Sequence, residues 1–311
     1  MEDFKRDGGT DLDGATASLH ERGPETLADS QIKSLTPNTA FSRRAFAMTS
    51  LGVGFALAAQ PIQAQTVIAT PETGLDAGEV KVKTRDGMMP AYRARPKGKT
   101  GTPVVLVIHE IFGVHEHIKD LCRRLAKVGY YAIAPDLYAR LGDASQVSDI
   151  PTLMGPDGIV TKTSDDSVRR DLDAAVVFAA SEKANTKRLA VTGFCWGGRQ
   201  TWLYTEQTPG VRAAAAWYGP LDTPGKSPIS LAAGAKGRVI GFYGAKDTGI
   251  TAEHVAAMRK ALADAGDTES RIIVYPDAPH GFNADYRPSY MKKDALEAWQ
   301  NMLGWFKSHG V

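Results

Sequence analysis

Gly193-Phe194-Cys195-Trp196-Gly197-Gly198 follows directly on the apolar run Arg188–Thr192 and opens the helical stretch Trp196–Gln207. Glycine stands two residues before and two residues after the cysteine. A chain that turns from strand into helix around a single residue leaves no room for side chains at those flanking positions. It also forces the central residue into a strained conformation with its reactive atom at the top of the sheet. The helix that begins here points free N–H groups and a positive dipole end at that atom, which favours a thiolate and a nearby oxyanion. A buried structural cysteine in a glycine-rich turn is the competing reading, and Gly-x-Cys-x-Gly alone does not separate the two.

Outward from the elbow, strands alternate with helices. Pro103–His109 is a continuous apolar run of the kind buried on both faces of a parallel sheet. His115–Val128 carries helical spacing at Ile118, Leu121, Cys122 and Leu125; Tyr130–Ala134 is a strand stopped by Pro135. A long loop is expected up to Thr163, then a helix over Ser164–Ser181. Beyond the elbow, Arg212–Trp217, Val239–Tyr243 and Arg271–Tyr275 read as strands, and Thr251–Ala265 and Ser289–Ser308 as helices. Glu79–Thr84 and Met88–Ala94 bracket Arg85-Asp86-Gly87, which predicts a leading hairpin. The pattern defines an α/β fold: a single doubly wound, mostly parallel sheet in one domain over 75–311, with Pro220–Gly237 as an irregular connection.

In such sheets ligands bind beyond the carboxyl ends of the strands. Asp247 stands just after Val239–Tyr243, and His280 just after Arg271–Tyr275. Nucleophile, acid, base is the chain order of Cys195, Asp247 and His280, the order that the elbow architecture uses. His280 would take the thiol proton and later activate water, while Asp247 would orient it. Asp277 competes for the acid role but lies only three residues from His280 on the same loop. His109-Glu110-Ile111-Phe112-Gly113 follows Pro103–Ile108, at the loop that donates the second oxyanion N–H. The N–H groups of Ile111 and Trp196 are therefore the oxyanion candidates. A glutamate at that place is odd for a site that must hold an anion, unless the carboxylate meets the thiol. His109 is expected to pack in the core, opposite to Glu110.

These residues carry a family resemblance. His109-Glu110-Ile111-Phe112-Gly113-Val114, Ala134-Pro135-Asp136-Leu137-Tyr138, the Cys195 elbow, the Asp247 loop and Ala278-Pro279-His280-Gly281-Phe282 together resemble the dienelactone hydrolase (carboxymethylenebutenolidase) family over roughly residues 76–308. The resemblance implies an α/β-hydrolase fold and a hydrolase of lactones or small esters, without cofactor or metal. It implies that Glu110 holds the resting thiol and helps to deprotonate Cys195, whose thiolate forms an acyl-enzyme. Phe112, Tyr138 and Arg287 become the candidate substrate contacts. Family members hold the substrate carboxylate with two arginines. Ala284 stands at one of those positions, with Arg287 three residues on, and Lys162 is the only cation between Arg140 and Arg169. The expected consequence is a specificity shifted towards neutral lactones and aryl esters, unless Arg287 or Lys162 substitutes.

The composition is that of an ordinary soluble globular protein. Hydrophobic residues make up 43% and charged residues 23% of 311, with a net charge of +2 and no basic stripe, so a nucleic-acid partner is not expected. Two cysteines, Cys122 and Cys195, cannot make a disulfide framework, and Cys122 reads as a buried helix thiol. Residues 1–64 are expected to be a disordered start followed by an export signal. Ser42-Arg43-Arg44-Ala45-Phe46 precedes the uncharged run Ala45–Ala59 and a small-residue cut site at Ala64. That run, about 15 residues, is short of the ~20 needed to span a bilayer. Twin-arginine export to the periplasm, no stable membrane anchor and a monomer are the expectations. Two rival classes share the fold: a serine-type esterase or peptidase, and a non-catalytic carboxylate binder or thiol redox sensor. A sensor needs a resolving thiol, which Cys122 on its own helix has no reason to supply.

Overall fold

Strand formation follows the apolar runs. In the computed structural model, which describes residues 68–147, 149–234 and 238–311, the strands are β1 (Leu75–Thr84), β2 (Gly87–Pro96), β3 (Pro103–Ile108), β4 (Tyr131–Pro135), β5 (Asn185–Phe194), β6 (Val211–Trp217), β7 (Arg238–Gly244) and β8 (Arg271–Tyr275). The export-signal reading of 1–64 lies outside the described residues. Among those described, the strands form one sheet in the order β1-β2-β4-β3-β5-β6-β7-β8. The β1–β2 and β2–β4 pairs are antiparallel, and every pair from β4 to β8 is parallel. This is an α/β-hydrolase fold. Val104–Ile108 and Leu189–Phe194 are buried throughout, as strands covered on both faces must be.

The helices are α1 (Glu116–Lys127), α2 (Ile150–Met154), α3 (Ile159–Lys162), α4 (Asp165–Ser181), α5 (Trp196–Gln207), α6 (Pro228–Leu231), α7 (Ala252–Asp264) and α8 (Lys292–Ser308). Three elements depart from the sequence reading. The expected loop up to Thr163 contains a short 3₁₀ turn at Ala144–Gln146 and the helices α2 and α3. Asp149 caps α2 by accepting from the Thr152 N–H at 2.8 Å, with Pro151 in the first turn. Helices this short have too few apolar positions to show a period. The 220–237 connection likewise holds α6, closed by a reciprocal Ser227–Ser230 capping box. The final helix starts at Lys292 and not Ser289, because Ser289–Met291 still belong to turns that fold back on the His280 loop: the Met291 N–H bonds the Phe282 carbonyl at 2.9 Å.

Candidate active site

Cys195 joins β5 to α5 with φ 55° and ψ −121°. Its N–H donates to the Trp217 carbonyl on β6 at 3.0 Å, and its carbonyl accepts from the Gly198 and Arg199 N–H groups at 2.8 and 3.2 Å. Glycine is required around it. A Cβ on Gly193 would stand 2.3 Å from the Gly197 carbonyl oxygen, and one on Gly197 would stand 2.4 Å from that of Ile108. Trp196 is the first residue of α5, a position where the backbone N–H has no acceptor within the helix. Ile111 is buried in the neighbouring β3–α1 loop.

His280 Nδ1 meets Asp247 Oδ2 at 2.7 Å. The other oxygen of Asp247 accepts from the Gly249 and Ile250 N–H groups at 2.9 and 3.1 Å, which fixes the carboxylate in the β7–α7 loop. His280 Nε2 is buried, and the ring interacts with the Cys195 side chain. Burial opposes a charge on this ring, but the Asp247 carboxylate and the Cys195 sulfur outweigh it and raise the pKa to about 10. Asp277 instead pairs with Lys246 at 3.0 Å, both side chains largely exposed. The geometry therefore brings Asp247, not Asp277, to the imidazole.

Glu110 is buried and multiply held. Its Oε2 accepts from the Tyr286 hydroxyl at 2.5 Å and lies 3.2 Å from His115 Nε2. Its Oε1 lies 3.8 Å from Arg287 Nη2 and has no hydrogen-bond partner among the described residues. Burial would raise this carboxyl's pKa, yet Arg287, His115 and His117 hold it well below the usual carboxylate range. This explains the glutamate in an anion-binding loop: its charge is balanced on the spot.

Of the two cations that could replace the absent arginines, Arg287 and Lys162, Arg287 is the one beside Glu110 and Phe112. Arg287 is nearly buried, its guanidinium 5.0 Å from the Phe112 ring centre, and its Nη2 lacks a hydrogen-bond partner among the described residues. Successive turns, Ala284 N–H to Gly281 carbonyl and Arg287 N–H to Ala284 carbonyl, both 2.9 Å, bring position 287 back to the site. Asp285 pins that loop to α1 through His117 Nδ1 at 2.9 Å and Arg124 Nη2 at 2.5 Å. Ala284 is buried, and Lys162 is half exposed on α3, paired with Asp157 at 3.0 Å.

His109 is wholly buried: Nδ1 faces its neighbour Glu110's carbonyl at 2.7 Å, and Nε2 accepts from the Leu137 N–H at 3.2 Å. Burial pushes its pKa down to about 4, so it works as a neutral brace between two loops. Tyr138 packs its ring 4.6 Å from His109 and 5.1 Å from Trp196, with its buried hydroxyl unpartnered among the described residues. Sequence reasoning missed His115, His117, Asp285, Tyr286 and Tyr218. Only Tyr218 carried a signal, since it directly follows β6 at a strand's carboxyl end, the rule that found Cys195. Among the described residues, no group of three or more His, Cys, Asp or Glu side chains is placed to hold a metal ion, and no helix is long and apolar enough to cross a membrane.

Fold and site together define an α/β-hydrolase with cysteine at its elbow. The family model for the dienelactone hydrolase family matches residues 89–310, and the chain belongs to that family. It is 50% identical over 292 residues to a protein of Methylorubrum extorquens provisionally named carboxymethylenebutenolidase, covering 92% of this chain and 99% of that one. It is 49% identical over 264 residues to a protein of Escherichia coli with the same provisional name, covering 83% and 96%. A crystal structure from Klebsiella pneumoniae, provisionally titled a dienelactone hydrolase, superposes with a TM-score of 0.72 at 48% identity, covering 75% of this chain and 98% of that one. The protein is a dienelactone hydrolase-like hydrolase of small-molecule substrates.

Proposed function

We propose that this enzyme opens carboxylate-bearing enol-lactones through a cysteine acyl-enzyme. The observation that carries the reading is the buried His280 ring, paired with the Asp247 carboxylate through Nδ1 and interacting with the Cys195 side chain. The thiol proton passes to His280, assisted by the free Oε1 of Glu110, and the sulfur adds to the lactone carbonyl carbon. The carbonyl π electrons move to oxygen, where the N–H groups of Ile111 and Trp196 receive the charge. Collapse breaks the ring C–O bond, and the leaving enolate oxygen takes the proton from His280. Water, deprotonated by His280, then cleaves the thioester, freeing a carboxylate and restoring the thiol.

Arg287 is the cation for the substrate carboxylate, with Phe112 and Tyr138 walling the pocket. A carboxylate beside those rings needs such a partner, since an unpaired buried charge costs several kcal/mol. Carboxymethylene butenolide should therefore be preferred over an uncharged aryl ester in kcat/KM. In Arg287→Ala that preference should shrink by about 2–4 kcal/mol, roughly 30- to 1000-fold. Equal kcat/KM for the two substrates in the wild type would restore the neutral-substrate reading.

We also propose export by the twin-arginine pathway, supported by Arg43-Arg44 ahead of the uncharged run. The double variant Arg43→Lys, Arg44→Lys should stay inside the cell at full length, while wild type is recovered shortened in the periplasm; uncut wild type in the cytoplasm would end the proposal.

A further inference from the structure

Tyr218 sits directly after β6 with φ 38°, one of three non-glycine residues at positive φ among those described. Its neighbour explains the turn. Gly219 lies under the start of α5, where a Cβ would come 2.2 Å from the Arg199 nitrogen, so the chain must bend sharply at 218. The backbone there is held by the Tyr218 N–H on the Phe242 carbonyl at 2.8 Å. That accounts for the conformation but not for the hydroxyl.

The Tyr218 ring is fully buried, 5.1 Å from the His280 ring and 5.5 Å from Phe282, and its hydroxyl has no partner among the described residues. A phenylalanine would fill the same space without burying an unpaired donor, which costs free energy unless a partner arrives. Beside the His280 ring, the hydroxyl also feels the charges of Glu110, Arg287, Tyr286 and Cys195, so it belongs to the same site. Arg287 Nη2 and the Tyr138 hydroxyl are also unpartnered there. Three unpartnered donors thus share the site with one unpartnered acceptor, Glu110 Oε1, which lies 3.8 Å from Arg287 Nη2, while Glu110 Oε2 is already served by Tyr286 and His115. An occupant rich in acceptor oxygens satisfies those donors.

We infer that Tyr218 is a substrate-binding residue whose hydroxyl donates, beside Arg287, to the carboxylate of the bound lactone. The inference rests on the proposed cysteine-hydrolase reading and adds a second donor to its anion subsite. Binding through a hydroxyl that touches no protein group leaves a particular signature in Tyr218→Phe. The variant should melt at or above the wild-type midpoint, because it removes an unpaired buried donor. Its kcat/KM for carboxymethylene butenolide should fall about 10- to 100-fold, the scale for a hydrogen bond to a charged group. The loss on p-nitrophenyl acetate should be at least about fivefold smaller, since that ester offers no carboxylate. A lower melting midpoint with equal losses on both substrates would mean a structural hydroxyl and overturn the inference, as would unchanged kcat/KM on both. Failure of the cysteine reading is distinct: Cys195→Ala would then match wild type in turnover. Tyr218 would in that case be judged by the butenolide's dissociation constant, which rises about tenfold in Tyr218→Phe if the hydroxyl binds it and stays unchanged if it does not.

Discussion

Cys195→Ala is expected to lose on the order of 10⁴-fold or more in kcat/KM for any lactone or ester the wild type accepts. The elbow puts a single sulfur at the end of β5, in reach of the imidazole and at the N-terminus of α5. Alanine keeps the turn, the Asp247–His280 pair and the oxyanion N–H groups, so only the residual effect of binding and orientation should survive. Its melting midpoint should stay close to that of wild type. Cys122→Ala is the internal comparison. That thiol is buried on α1, and burial pushes its pKa well above the ordinary range, so it is an inert packing group. Its removal should cost stability, about 1 kcal/mol, and leave turnover unchanged. Retention of more than a tenth of wild-type kcat by Cys195→Ala would mean that another group attacks the carbonyl.

Gly193→Ala should be the most damaging small substitution in the chain. The added methyl would stand 2.3 Å from the Gly197 carbonyl oxygen and 2.6 Å from Thr201 Oγ1. The first helical turn cannot back away, because Gly197 is itself pressed against the carbonyls of Ile108 and His109, and Gly198 against that of Trp217. Three elements, the ends of β3, β5 and β6, would have to part from α5 together. Overpacking of this kind against backbone is expected to cost at least about 4 kcal/mol, or roughly 8–16 °C in the melting midpoint. Gly304→Ala has the opposite sign. Gly304 is exposed in the middle of α8 with nothing within 4 Å of the added carbon, so alanine should stabilise by about 0.5–1 kcal/mol. Thermal melts of the two variants check both; a Gly193→Ala that melts with wild type would contradict the packing at the elbow.

Much of the architecture is legible in the sequence, because its signals are local. Pro103–Ile108 reads as a two-faced buried strand from its composition alone, and the Asp-Gly turn marks the hairpin of β1 and β2. The elbow is written in Gly193, Cys195 and Gly197, since only glycine tolerates the carbonyl contacts at its flanks. Short helices such as α2 and α3 escaped, as four or five residues give no period to detect and their caps look like loop residues.

By itself, then, the sequence determined the sheet, the elbow and the chain order of Cys195, Asp247 and His280, all of which depend on backbone sterics and short-range patterning. It favoured Asp247 over Asp277 from their places along the chain, and the fold puts the Asp247 carboxylate on the imidazole while Asp277 pairs with Lys246. It could not show the charge balance of the pocket. The Tyr286 bond to Glu110 joins residues 176 apart in the chain. Arg287 reaches the site only because two turns and the Asp285–His117 contact carry its loop over α1. Pairing between distant charges is a matter of where the loops meet in space, and spacing along the chain does not encode it.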